Sequence, residues 1–374
     1  MGGRQCAVKN PKIPVIVENN YLKSVWCTEI LDGIGKQKCE LVSLDDIKNF
    51  TQNSAMPIIG TTNHFLKKSI TACIERNLRP IVVGTEITDV DSRISTIKTN
   101  RKAAVTNLLK YFNAAGRNDI ALLGINSHSN IDTEKKEAFT EAFSALYGKD
   151  ASGNIYYNET NAKACVNNLL KDISSYNGVI CSNDYFAVAF VAGALKNGLK
   201  IPDDVFVAGY GNSFIAENIN PSITSVAPKY HEMGVQARKA YYYLSDNPSV
   251  SSAGILVDYD IIVRESTDNI NFENTFSIAS NDFELCTHTM FDDDNMNKII
   301  GLDTVFGSSD ASLVMILKGI MNDVSYSALA ENLYLSDSAF RYKLNKIFAL
   351  THTQSKNELK ELLNRVRFKS GDFV

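Results

Sequence analysis

Short, continuously apolar runs alternate with longer amphipathic stretches from about residue 13 to residue 264, and this alternation restricts the fold most. Most of the runs end at or beside Gly, Ser, Asn or Thr, which is typical of strands buried on both faces of a parallel sheet. The runs are PVIV (14–17), CELVSL (39–44), PIIGT (57–61), PIVVG (80–84), IALLG (120–124), GVICS (178–182) and VFVAGY (205–210). Together with helices between them, they predict a doubly wound α/β architecture.

Two amphipathic stretches also predict where helices end. AVTNLLKYF (104–112) has apolar residues at helical spacing and is followed by Gly116, and the helix beginning near Phe186 is followed by Gly198. The pattern restarts near Asp119, so we expect two lobes of comparable size with a cleft between them. Ligands of such sheets bind beyond the carboxyl ends of the strands, so the strand exits are where we search for a site.

Motifs for catalysis and metal binding are missing from the sequence. The seven cysteines are scattered singly with no C-x-x-C pair, which argues against a disulfide framework and a zinc site. There is no H-E-x-x-H or G-x-S-x-G, and Gly209-Tyr-Gly211 begins a dinucleotide fingerprint that has Phe214 in its third glycine position. Binding is therefore favoured over catalysis, and no cofactor and no metal are expected.

Charge and residue composition divide the chain into three predicted parts. Residues 12–268 form the two-lobed α/β sensor, residues 269–308 an acidic polar linker, and residues 309–374 a small, basic, all-α domain. No apolar run reaches the roughly 18 residues that span a bilayer, and the first residues lack the apolar stretch of a signal peptide. We therefore expect a cytoplasmic protein that does not contact a membrane.

The segment GVICSNDYFAVAFVAGALKNGLKIPDDVFVAGYGNS (178–213) resembles the sensor domain of lactose-repressor and galactose-repressor type regulators, which has the periplasmic-binding-protein-like fold. The resemblance covers roughly residues 12–266. It implies that one or both of Asn183 and Asp184, at the Asn-Asp step, contact a small ligand, although Asp184 fits a helix-capping role about equally well. DNA-binding members of the family carry their DNA-binding unit before the sensor, where this sequence has only about a dozen residues.

Three positions depart from the family pattern and bear on the ligand. Lys136 stands where an Arg is usual, Gly211 where an Asp is common, and Thr99-Asn100 where Asp-Asn is frequent. Arg and Asp bind sugar hydroxyls through paired hydrogen bonds. The resemblance implies a sugar or a related polar metabolite with Lys136 among its contacts, whereas the loss of this Arg and Asp argues against a simple neutral sugar.

Polar residues at other strand exits are further candidates for ligand contacts. Alternatively, they form ordinary turns and helix caps. The early tryptophan, Trp26, could stack on a ligand ring or pack internally. The candidates at the exits are Glu18, Asn19, Tyr21, Asn126, Ser127, His128, Tyr210 and Asn212.

The C-terminal sequence has the pattern of a helix-turn-helix. Ser325 starts a short helix, and Ser336 is a suitable N-cap for a second helix with Phe340, Leu344 and Ile347 buried. The open side of the second helix would then carry residue types that contact bases and phosphates. These DNA-binding candidates are Ser338, Arg341, Tyr342, Asn345 and Lys346.

The next helix, with a capping box from Ser355 to Glu358, completes an order that resembles the LuxR-type DNA-binding domain over about 55 residues. An AraC-type unit is the alternative, but it needs two helix-turn-helix copies. We therefore predict an effector-responsive transcription regulator that binds double-stranded DNA as a homodimer. The competing hypotheses are a solute-binding receptor without DNA-binding activity, an α/β enzyme, and a C-terminal helical bundle that serves only dimerisation.

Overall fold

A computed structural model describes residues 12–85, 93–267 and 292–369 of the chain. The apolar runs form most of the central strands. In chain order the strands are β1 (Ile13–Val17), β2 (Cys39–Leu41), β3 (Ala55–Ile59), β4 (Arg79–Val83), β5 (Ser95–Thr99), β6 (Ile120–Ile125), β7 (Ile155–Tyr157), β8 (Gly178–Cys181), β9 (Phe206–Tyr210), β10 (Thr224–Pro228), β11 (Gly254–Val257) and β12 (Tyr259–Ile262).

Helices alternate with these strands and then follow one another without strands. In chain order they are α1 (Val25–Ile34), α2 (Asn63–Glu75), α3 (Arg101–Ala114), α4 (Asn130–Tyr147), α5 (Ala162–Asp172), α6 (Asp184–Lys196), α7 (Phe214–Asn218), α8 (Tyr230–Asp246), α9 (Asp294–Phe306), α10 (Ala311–Met321), α11 (Tyr326–Asn332), α12 (Asp337–Thr351) and α13 (Lys356–Arg365).

The chain divides into two units, each built on a six-stranded sheet. Among the described residues, unit 1 contains those up to Thr99 together with Lys229–Val257, and unit 2 contains Asn100–Pro228 together with those from Asp258 onward. The strand order is β11-β5-β4-β3-β1-β2 in unit 1 and β12-β10-β9-β8-β6-β7 in unit 2. Every pairing is parallel except that of β10 with β12, which is antiparallel. The predicted two-sheet α/β fold is confirmed.

Two glycines follow helices of unit 2 as predicted. Gly116 and Gly198 follow the last residues of α3 and α6 with φ values of +75° and +82°, in the left-handed region that glycine adopts without strain. The helix starts are set by Asn100 and Asn183, whose side-chain oxygens accept backbone N–H groups of α3 and α6. These caps fix where each helix leaves the edge of the sheet.

The C-terminal helices α9–α13 pack on unit 2 and share its hydrophobic core. The apolar face of α9 lies in the same buried cluster as Ile215 and Ile219 of unit 2, and Phe368, just after α13, pairs with Ile219 in an isolated β-bridge. The structure therefore does not separate an all-α domain from the sensor, because this apolar face is covered by the sensor itself. The α9–α13 residues buried in the shared cluster are Met296, Ile299, Leu302, Val305, Leu313, Ile316, Leu317, Ile320, Leu329, Ala330, Phe340, Leu344, Ile347, Leu359, Leu362 and Leu363.

The predicted acidic linker over 269–308 is wrong in its last part, where Asp294–Phe306 forms helix α9. Met296, Ile299, Leu302 and Val305 recur at helical spacing and are all buried, and this spacing gives the helix its packing face. Asp293 caps the helix and also accepts the backbone N–H of Ala162 at 2.7 Å. The earlier part of the predicted linker, residues 269–291, lies outside the described residues.

Candidate functional site

Three strand exits of unit 2 meet around the side chain of Lys135 on α4. This lysine is 5% exposed, and its Nζ donates to the Ser182 carbonyl, which follows β8, at 2.6 Å. Nζ also lies 3.3 Å from Asp132 Oδ1 and 4.5 Å from the centre of the Tyr210 ring at the end of β9. Because α4 follows β6, the exits of β6, β8 and β9 come together at one edge of the parallel sheet.

The buried ion pair at this edge is electrostatically unusual. Loss of hydration lowers the pKa of the Lys135 ammonium and raises the pKa of the Asp132 carboxyl, and their mutual attraction opposes both changes. A second pair, Arg101 with Glu134 at 2.8 Å, lies close by. Buried ion pairs are weak contributors to stability. Perturbed charged groups at strand exits therefore mark a candidate functional site.

The lysine in this cluster is not the one that the sequence pattern selected. Lys136, the predicted ligand contact, is half-buried, and among the described residues its side chain makes no hydrogen bond or ion pair. Successive helical residues point about 100° apart. Lys135 lies in the buried stripe of α4 with Phe139 and Ala142, whereas Lys136 lies beside that stripe. The i, i+4 spacing of this stripe could have identified Lys135; a ligand contact by Lys136 stays a prediction.

Asn183 and Asp184 hold the start of α6 in place. The Asn183 amide oxygen accepts the Phe186 N–H at 3.0 Å, as an N-cap does. Asp184 is 1% exposed, and its carboxylate accepts from Ser213 N and from Ser225 Oγ, both at 2.6 Å. Burial raises the pKa of Asp184, and these hydrogen bonds oppose the change.

Asp184 approaches the backbone of β9 closely. A Cβ atom on Gly209 would lie 2.2 Å from Asp184 Oδ1, so the glycine makes room for the carboxylate. Both oxygens of Asp184 therefore bind groups of the protein itself. Asn183, not Asp184, caps α6, so the alternative capping role of Asp184 is wrong.

The remaining candidates of unit 2 surround the same edge. Tyr210 is buried against Lys135. Asn212 is exposed with φ +50°, its Oδ1 accepts from Arg264 Nη2 at 2.6 Å, and its N–H donates to Ser225 Oγ at 3.0 Å. The sequence analysis missed Ser225, which lies within β10, and Arg264, which follows the short apolar run of β12.

Two further candidates follow β6 in the turn that leads to α4. Ser127 Oγ lies 3.0 Å from Nε2 of the neighbouring His128, and both side chains are half-buried. The His128 backbone N–H donates to Asn126 Oδ1 at 2.9 Å. Asn126 N in turn donates to Asp132 Oδ2 at 3.2 Å, so this turn is tied directly to the buried ion pair.

In unit 1, the predicted residues after β1 bind the exit of β3. The buried Glu18 carboxylate accepts the N–H of Thr61 at 3.0 Å and the hydroxyl of Thr62 at 2.6 Å. Thr61 Oγ1 donates to the Tyr21 hydroxyl at 2.5 Å. Asn19 is exposed. The exits of these neighbouring strands therefore form one polar edge.

Tyr21 also belongs to an aromatic group in unit 1. Its ring centre lies 5.2 Å from that of Trp26, which lies 6.3 Å from that of Tyr230. Trp26 is half-buried. The tryptophan therefore packs among aromatic rings and keeps part of its surface accessible.

Helices α11 and α12 are joined by a short turn, and each begins at a serine cap. The hydroxyls of Ser325 and Ser336 cap them by accepting from Ala328 N and Ala339 N, each at 3.3 Å. The predicted inward stripe of α12 is buried, and Tyr334 in the connecting turn has φ +52°. Ser355 caps α13 by accepting from Glu358 N at 3.2 Å.

The outer face of α12 is polar and accessible. All five predicted DNA-binding residues are exposed, and Tyr342 is 73% exposed. Tyr334 in the preceding turn is 97% exposed. Lys343, on the inner side, forms an ion pair with Asp310. The structure therefore places Ser338, Arg341, Tyr342, Asn345 and Lys346 on the exposed surface of α12.

The described residues contain neither clustered metal ligands nor a membrane-spanning helix. Within residues 12–85, 93–267 and 292–369, no group of three or more His, Cys, Asp or Glu side chains is arranged to hold a metal ion. No helix in these ranges combines the length and apolar character needed to cross a bilayer.

Comparison with known proteins relates the chain to transcription regulators. Residues 109–267 match the family of the periplasmic binding protein-like domain. The "Probable HTH-type transcriptional repressor ExuR" of Bacillus subtilis is 25% identical over 231 residues, which are 60% of this chain and 68% of that protein. The NTD biosynthesis operon regulator NtdR of the same species is 35% identical over 99 residues, 26% of this chain and only 30% of that protein. These relatives are named as regulators, not as enzymes.

Solved structures share the two-sheet fold. The transcription regulator CcpA of Lactococcus lactis superimposes with a TM-score of 0.59 at 19% identity, over 69% of this chain and all of that one. The transcriptional regulator CelR in complex with cellobiose gives 0.58 at 17% identity, over 69% of this chain and 86% of that one. The chain is thus similar in sequence to transcription regulators and has the periplasmic-binding-protein-like fold.

Proposed function

We propose that this protein is an effector-responsive, DNA-binding transcription regulator. A small polar molecule binds at the strand exits, and the exposed face of α12 contacts double-stranded DNA. The observation that carries the DNA-binding part is the Ser-capped α11–α12 pair, in which one face of α12 is buried and the opposite face presents Arg341, Asn345 and Lys346.

The effector site is proposed at the edge formed by Asn183, Tyr210, Asn212 and the Lys135–Asp132 pair. Amide, phenol and ammonium groups recognise the hydroxyls and carboxylates of polar metabolites. This chemistry supports a sugar or a related polar metabolite, and the relative CelR is known in complex with cellobiose. The second polar edge, with Glu18, Asn19 and Tyr21 in unit 1, offers groups of the same kind.

The DNA-binding unit is proposed to be of the LuxR type, with α12 in the major groove. Arg and Asn side chains read base edges there, and Lys neutralises phosphates. Helix-turn-helix proteins usually read two half-sites, so we also propose a homodimer. Sedimentation at micromolar concentration, with and without DNA, measures this assembly; a monomer under both conditions would contradict it.

The test of DNA binding uses the full chain and a pool of random-sequence duplexes at several salt concentrations. Lys346→Ala should weaken binding to all sequences and reduce the salt slope by about one, as loss of a phosphate contact does. Arg341→Ala should lose sequence preference, at a cost of roughly 1–3 kcal/mol. Lys171→Ala on α5 of unit 2 removes a matched exposed lysine and should change neither quantity.

A protein contact at the same surface is the second candidate function. Its support is the pair Tyr334 and Tyr342, which are 97% and 73% exposed, because exposed tyrosines are frequent in protein interfaces. A folded protein that shows no salt-sensitive affinity for any duplex, but loses self-association when Tyr342 is replaced by Ala, would favour this candidate over DNA binding.

A further inference from the structure

Two buried carboxylates accept hydrogen bonds from one short segment of unit 2. Asp184, at the strand exits, accepts Ser213 N at 2.6 Å, and Asp303 of α9 accepts Ile215 N at 2.9 Å. Asp303 is 2% exposed, and its other oxygen accepts the Tyr185 hydroxyl at 2.8 Å. Since Tyr185 directly follows Asp184, α9 binds both the start of α6 and the segment after β9.

Helix α9 is in turn packed tightly against α12. A Cβ atom on Gly301 of α9 would lie 1.9 Å from the backbone oxygen of Leu350, so the two backbones approach as closely as glycine permits. Leu350 belongs to α12, whose outer face carries Arg341 and Asn345. Helix α9 therefore contacts both surfaces to which the proposed function assigns a role. Asp303 contacts the strand exits of unit 2, and Gly301 contacts α12.

We propose that Asp303 and Tyr185 are positioning residues that couple the strand exits of unit 2 to helix α12, through the segment Ser213–Ile215 and helix α9. The inference rests on the proposed function for the roles of the two ends. A ligand that displaces the start of α6 or the segment after β9 changes the hydrogen bonds of Asp303 and so the position of α9. Through the close crossing at Gly301, the same change reaches α12.

The alternative is that α9 is only a structural support of unit 2. A support would respond to mutation by a general loss of stability, so that hydrogen exchange rises throughout unit 2 together. Coupling predicts a different pattern. A mutation at the strand exits or in α9 should raise hydrogen exchange in Ser213–Ile215, α9 or α12, while α3 keeps its protection. Hydrogen exchange followed by mass spectrometry on the full chain separates these patterns without knowledge of the effector.

The first variant is Tyr185→Phe, which removes one hydroxyl without leaving a large cavity. A buried hydrogen bond contributes about 1 kcal/mol, so exchange in Ser213–Ile215 and in α9 should rise about fivefold. Tyr156→Phe is the matched control, since its hydroxyl also donates to a carboxylate, Asp172, at 2.9 Å. The control should leave α9 unchanged; an unchanged α9 in Tyr185→Phe as well would overturn the proposal.

The second variant perturbs the opposite end of the path. Gly301→Ala forces α9 away from Leu350, and exchange should rise in α12 and also in Ser213–Ile215, while α3 stays protected. Gly153→Ala is the control, because a Cβ at Gly153 meets no atom within 4 Å. A folded Gly301→Ala protein with normal exchange in Ser213–Ile215 would refute the coupling. Exchange changes in a protein that binds no duplex would instead support the coupling and refute the proposed DNA binding.

Discussion

Burial raises the pKa of the Asp303 carboxyl from 3.8 to about 6. This shift predicts how the free energy of unfolding depends on pH. The hydrogen bonds from Ile215 N and Tyr185 oppose the change but do not cancel it. In the folded state the carboxyl therefore binds a proton more readily than in the unfolded state. Stability is fully present below the unfolded value and is lost as the pH rises through the folded value.

The size of this loss follows from the two pKa values. Their difference of about 2.2 corresponds to about 3 kcal/mol in total, and about 2 kcal/mol of this falls between pH 4.5 and pH 7.5. Asp303→Asn keeps the shape of the side chain and removes the titration. Relative to this variant, the protein with Asp303 should lose about 2 kcal/mol of unfolding free energy over that interval.

Urea unfolding at the two pH values measures this difference. Far-UV circular dichroism follows the helices, many of them in unit 2, whereas fluorescence of the single tryptophan, Trp26, follows unit 1 and serves as an internal control. Asp172→Asn makes the same chemical change at an exposed carboxylate. If Asp303→Asn and the unmodified protein differ by the same amount at both pH values, the buried-carboxylate reasoning is wrong.

Two further predictions concern the strand exits of unit 2. Asn183→Ala should weaken binding of any metabolite identified by a thermal-shift screen at least tenfold, whereas Asn161→Ala, which removes an equivalent N-cap from α5 at a cost of about 1 kcal/mol, should not; equal losses in both variants would exclude an Asn183 contact. Lys135→Met should destabilise the protein by about 3 kcal/mol or more, because it leaves Asp132 buried without its cation. Adding Asp132→Asn should recover much of this loss in urea unfolding, and no recovery would mean that the cost comes from packing instead.

The strands, helix ends and caps could be predicted because they depend on nearby residues. The apolar run before Asn183 is β8, and Ser336 caps α12 as its position before an amphipathic stretch predicts. The burial of Phe340 and Leu344 also followed from helical spacing alone. The convergence of strand exits required only the parallel order of the sheet.

Helix α9 could not be predicted from composition because the acidic run before it dominates that stretch. Its apolar stripe of Met296, Ile299, Leu302 and Val305 was present in the sequence, but acidic neighbours made the region resemble a linker. Residue type could not show which of Lys135 and Lys136 is buried, since the two residues are chemically identical. Only the packing face of α4 distinguishes them.

The sequence also does not show which surface the apolar face of a helix packs against. The apolar residues of α10–α13 would suit a separate bundle, yet the same cluster includes Ile215 and Ile219 of unit 2. Burial favours any partner that removes apolar area from water, so pattern alone does not choose between them. The shared core is therefore a finding of the structure.

This shared core changes how an effector can act on the proposed DNA-binding surface. With a flexible linker, α12 would sample many positions whatever the sensor binds. With α9 held by Asp303 and crossed closely by α12 at Gly301, the effector shifts α12 only by binding two arrangements of this junction with different affinity. A rearrangement worth one or two hydrogen bonds supplies about 1–3 kcal/mol, which is the usual range of coupling between two sites. The same coupling must act in reverse, so DNA that prefers one arrangement should change effector affinity by the same factor.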